Sequence, residues 1–93
     1  MAYQIIYPDG LDEYDFFDIE QKGWLDGVKV AWMEREITLS IFDGGRLAQI
    51  VHDDTARLGY FASKSVLVVR SVNRTEIESA IQRMAERDFV DIL

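Results

Sequence analysis

Residues 36–42 constrain this chain more than any other segment. In Glu36-Ile37-Thr38-Leu39-Ser40-Ile41-Phe42, Ile37, Leu39 and Ile41 point one way, and Glu36, Thr38 and Ser40 point the other. A period of two places successive side chains on opposite faces of a pleated strand, so the segment reads as a half-buried antiparallel strand. Val28–Met33 precedes it as a second strand, with Val28, Val30 and Trp32 on one face and Lys29, Ala31 and Met33 on the other. Glu34-Arg35 reads as their hairpin connection, although it lacks the favoured Asn-Gly type of turn.

The remaining elements are placed around that hairpin. Residues 2–7 are rich in strand formers and end at the turn residues Pro8-Asp9-Gly10. Residues 11–21 are ambiguous and read as irregular or a short helical segment. Lys22-Gly23 and Asp26-Gly27 are turn signals around Trp24 and Leu25. Arg46–Leu58 reads as a helix with Leu47, Ile50, Val51 and Leu58 as its apolar stripe. Asp43 is its candidate N-cap, and Gly59 stands just past its end. Val66-Leu67-Val68-Val69 is a continuous apolar run of strand length, suited to an interior strand. Asn73 opens a last helix. Glu76 three residues on has the spacing of a capping box, and Val72 and Ile77 have that of a hydrophobic staple. Phe89, Val90, Ile92 and Leu93 form an apolar tail expected to pack back onto the sheet, or to dock on a second subunit.

These elements predict an α+β fold in one domain spanning residues 1–93. It is a two-layer sandwich of about four strands, mixed or mainly antiparallel, with two helices on one face in the order β-β-β-α-β-α. The passage from the third strand through a helix to the fourth is long enough for a right-handed crossover, which would make those two strands parallel. The other sheet face would carry Lys29, Ala31, Met33, Thr38 and Ser40, half polar and open to water or a partner.

Composition narrows the function classes. The chain has no Cys, which removes disulfides, thiolate metal sites and a Cys nucleophile. No apolar run approaches the ~18 residues of a membrane span. The N-terminus has neither the basic nor the apolar region of a secretory signal. The expectation is a cytoplasmic protein. Seventeen acidic residues against ten basic ones give a formal net charge of -7. That sign repels phosphate backbones and anionic lipid, so neither nucleic acid nor membrane is an expected partner. A basic protein would be drawn in.

The patterns that carry chemistry fail one by one. Asp9 to Glu20 has the length of an EF-hand loop, but Leu11 and Tyr14 stand where that loop needs an oxygen ligand and a Gly. His52 is the only His, too few for zinc without Cys. No Ser lies in a nucleophile-elbow pattern. Asp43-Gly44-Gly45-Arg46 opens a helix but lacks either phosphate-binding fingerprint. Tyr60 and Phe61 lack the basic groove of a stacking platform. The expectation is therefore no catalytic residue, no metal, no cofactor and no enzyme.

What remains is charge asymmetry. The first 20 residues hold Asp9, Asp12, Glu13, Asp15, Asp18 and Glu20 and no Lys or Arg, with aromatics interleaved. The sequence thus points to a non-catalytic acidic interaction module that neutralises or regulates a basic protein. Asp12, Glu13, Tyr14, Asp15, Phe16, Phe17 and Asp18 form its contact surface. Two alternatives stand beside it. One is a homo-oligomeric accessory subunit using the Ala31 and Met33 face and the apolar tail. The other is a small-ligand sensor or enzyme using Asp43–Arg46 and His52.

Overall fold

The structure is a computed structural model and describes residues 2–93. Strands β1 (Tyr3–Ile6), β2 (Trp24–Trp32), β3 (Arg35–Asp43) and β4 (Val66–Val69) form one sheet in the order β1-β2-β3-β4. The first three are antiparallel, and β4 runs parallel to β3. Helices α1 (Glu13–Lys22), α2 (Gly44–Leu58) and α3 (Arg74–Glu86) interrupt the strands, and a 3₁₀ turn (Val90–Ile92) follows α3. The α+β class, the four strands and the mixed sheet agree with the sequence reading. The difference is a third helix.

That helix is α1, where the sequence left an irregular segment. Asp12 caps it: its carboxylate accepts from Asp15 N at 2.9 Å, and the Asp15 carboxylate accepts from Asp12 N at 3.0 Å. This reciprocal pair is a capping box with Asp in the place usual for Glu. Strand β2 also starts earlier than expected. Gly23 is the left-handed C-cap of α1 rather than a free turn. Gly27, at φ +84°, is the extra residue of a bulge, and the register shifts between Asp26 and Val28. The hairpin turn is Met33-Glu34, one residue earlier than expected, because Trp32 pairs with Arg35.

The core lies on one sheet face. Leu25, Val28, Val30, Trp32, Leu39, Ile41 and Val69 project from the strands and meet Phe16 of α1 and Ile77, Ile81, Met84 and Ala85 of α3. The staple residues Val72 and Ile77 are both fully buried. The capping box expected at α3 forms only in half. Asn73 Oδ1 accepts from Glu76 N at 2.9 Å, but the Glu76 carboxylate takes the Arg70 guanidinium at 3.0 Å instead of reaching back. The tail packs back through Phe89 and Ile92, while Val90 and Leu93 stay exposed. Asp88 and Phe89 both adopt left-handed backbone, and the chain turns so that Phe89 stacks on Trp32 at 4.3 Å and meets Tyr3 edge-on at 5.7 Å.

Two helices do share the core face, but they are α1 and α3. Helix α2 buries no residue and adds none to the core. Ser40 N–H donates to Ser65 O across the β3–β4 ladder, so the Ser40 and Phe42 side chains stand on the face that a right-handed crossover covers. Helix α2 contacts β3 and β4, and the usual right-handed crossover places it over the second face, that of Phe42, Val66 and Val68. The depression lined by Trp24, Gly45, Arg46 and Gln49 joins that face to the start of α2.

Candidate functional site

The acidic–aromatic segment is helical because its ends are secured. Asp12 and Asp15 satisfy the first turn, acids there complement the helix dipole, and Gly23 N–H closes the last turn on Ile19 O at 2.8 Å. Leu11 and Phe16 stand at staple spacing, and both join the core cluster.

Helix geometry divides the seven expected contact residues into two groups. Asp12 and Asp15 are bound to each other's backbone and hold the fold. Phe16 is buried at 9% exposure. Its ring meets Tyr7 edge-on at 5.4 Å, and the Arg74 guanidinium lies 5.0 Å over it. Asp12 and Asp15 each give one carboxylate oxygen to the cap while Asp12 stays exposed, and Phe16 is turned into the core. Glu13, Tyr14, Phe17 and Asp18 are all exposed. Tyr14 is 84% exposed and Phe17 is 64% exposed. They sit three residues apart, which aligns them on one helix face. Glu13, Tyr14 and Phe17 line a shallow open depression. Two large aromatics held outward on a short capped helix, with a carboxylate on each side, form the candidate site.

The base of the helix is tied to its surroundings. Glu20 accepts from Asn73 Nδ2 at 2.6 Å, so this acid links α1 to the cap of α3. Tyr7 donates its hydroxyl to Glu78 Oε2 at 2.9 Å, with the Arg74 guanidinium 5.4 Å from its ring. Burial, followed by the hydrogen bond and the charge of Glu78, holds the Tyr7 phenol well above its ordinary pKa.

The other candidate places do not converge. The Asp43 carboxylate accepts from Arg46 N at 2.7 Å and fills the start of α2. His52 is exposed nine residues along, about 13 Å by helical rise. Among the described residues no three His, Asp or Glu gather as a metal site would, and no helix is long and apolar enough to cross a membrane. Met33 stands in the hairpin turn at φ +52° instead of within the open face.

The chain matches no known protein-family model, no curated protein and no solved structure. Sequence reasoning missed the structural work of Asp12, Asp15 and Glu20. The Asp12-x-x-Asp15 spacing before Phe16, with Leu11 in front, was the available signal for the cap. Nothing local signals the Glu20–Asn73 bond, whose partners are 53 residues apart.

Proposed function

We propose that this chain is a non-catalytic interaction module of the cytoplasm, and that α1 docks a basic protein to neutralise or regulate it. The observation that carries the reading is the exposure of Tyr14 and Phe17 on one face of α1. Burying a large aromatic gains more than any other side chain, and interface hot spots are enriched in Tyr. Glu13 and Asp18 flank the pair, and no Lys or Arg precedes Lys22 in the sequence; in space Arg74 lies over Phe16 and shares a depression with Asp12 and Glu13. Carboxylates at the rim speed encounter with a basic surface, while the aromatics slow escape from it.

The division of labour gives the test. A basic protein retained from host lysate at low salt is purified, and its kinetics are measured against three forms of the chain. Glu13→Gln with Asp18→Asn should lower the association rate and flatten its salt dependence. Tyr14→Ala with Phe17→Ala should raise the dissociation rate by about 30-fold or more, since truncated hot spots cost at least ~2 kcal/mol. None of the four lies in the cap pair or the core, so the fold is kept, and Glu13→Gln gives up only one first-turn charge. Unchanged rates in both variants would refute the reading.

A further inference from the structure

The end of α1 and the starts of β2 and α2 enclose an open depression of about 730 Å³, within the roughly 300–1,000 Å³ of small-molecule sites. Trp24 lines it and is 39% exposed. Lys22, the last residue of α1, and Arg46, in the first turn of α2, line it too. Among the described residues neither enters an ion pair, although Asp18 stands one helical turn before Lys22. The carboxylate in the lining is that of Asp43, whose Oδ1 accepts from Arg46 N at 2.7 Å. That bond caps α2, so the helix N-terminus is already filled and is not the site. Two free cations against one engaged carboxylate leave a locally positive place in a chain of -7.

Two further observations point to a ligand. The first is on Arg46, which donates Nη1 to Gln49 Oε1 at 2.9 Å. Its Nε is the one buried side-chain polar atom among the described residues that has no hydrogen-bond partner. An unmet buried donor costs stability. A guanidinium that turns to grip an anion side-on spends Nε and Nη2 together, which meets that donor. The second is Gly45, whose bare backbone lines the same depression. Its φ is not left-handed, and a Cβ there would meet only Asp43 Oδ1, at an ordinary 3.6 Å. Neither turn geometry nor crowding requires a glycine, and glycine weakens a helix relative to alanine. What a side chain would take up is room in the depression.

Chemistry names the class of ligand. The two cations suit a carboxylate or a phosphate, and the fork of Arg46 matches a pair of anionic oxygens. The exposed face of Trp24 is a surface on which a flat ring stacks. We propose that this depression binds a small planar aromatic molecule bearing a carboxylate or a phosphate, with Lys22 and Arg46 on the anionic group and Trp24 on the ring. His52 does not line it.

The indole N–H resonance of Trp24 in the intact chain tests this, with the buried Trp32 as an internal reference. Benzoate and adenosine monophosphate are the probes, and whichever binds more tightly identifies the anion. At least one should shift the Trp24 resonance saturably, with a Kd below about 1 mM. Adenosine and inorganic phosphate each keep one half of the chemistry and should bind about tenfold more weakly than the better probe. Arg46→Gln and Lys22→Gln should each weaken binding by about tenfold, the loss of one charge-assisted bond. Gly45→Ala should weaken it while raising the thermal midpoint, a combination that a glycine kept for the fold would not give. Tyr14→Ala with Phe17→Ala should leave binding unchanged, so this site and the α1 surface can fail separately. No saturable shift with either probe up to about 5 mM would overturn the proposal. So would binding that is indifferent to Arg46→Gln and Gly45→Ala.

Discussion

Gly23 stands where the end of α1, the start of β2 and the start of α2 come together. Its N–H closes α1, and its carbonyl accepts from Asp43 N at 2.9 Å. Its φ of +79° is disfavoured for any L side chain, and a Cβ there would run into the Asp43 carboxylate and crowd Arg46 Cβ. Asp43 in turn is the N-cap of α2. Gly59 offers a matched comparison, because its φ is +85° but a Cβ there would meet open space. Both Gly→Ala changes incur the left-handed penalty of ~1–2 kcal/mol. Gly23→Ala should lose about 1 kcal/mol more by displacing a cap. Urea unfolding of the two variants measures the difference. Equal losses would mean that Asp43 moves aside at no cost. This junction was not legible in the sequence, where Lys22-Gly23 reads as an ordinary turn. Only the fold brings Asp43 onto it.

Elements whose signals are local were legible, and those that depend on distant partners were not. The alternation in β3, the N-cap of α2 at Asp43 and the Val72–Ile77 staple of α3 each lie within a few residues, and each is found as expected. Helix α1 was obscured because its aromatics serve both sides: Phe16 faces in, while Tyr14 and Phe17 face out. The acidic character of the candidate site was therefore readable, but its division into caps and free carboxylates was not. The same contrast applies where β1 meets α3. Tyr7, one residue past β1, reaches Glu78 across 71 positions of sequence. Its phenol stays protonated in the folded chain to a higher pH than in the unfolded chain, where it ionises near 10. Above about pH 10 the unfolded state therefore holds fewer protons at this site, and stability falls as pH rises. Tyr7→Phe should make the decline shallower between about pH 9 and 11, whatever constant loss the missing hydrogen bond causes. Urea midpoints across that range decide it. Parallel declines in the two proteins would show that Tyr7 contributes nothing to the alkaline limb.

Over the whole molecule, the sheet separates two layers of unequal strength. On one side α1 and α3 enclose fully buried residues, including Val28, Val30, Leu39, Ile41, Ile77, Ile81 and Phe89. On the other, α2 rests on the sheet with no buried residue of its own. Hydrogen exchange reports the free energy of the opening that exposes each amide, and layers with few buried apolar contacts open below the global unfolding energy. In dilute monomer the amides of α2 should exchange well before those of α3 and the centres of β2 and β3. The residues 59–65 that return the chain to β4 should exchange with α2. The core helices and strands should stay near their global value. Uniform protection of α2 and α3 in dilute solution would mean that the second layer is as well anchored as the first, and that the half-exposed stripe of Leu47, Ile50 and Val51 needs no covering at all.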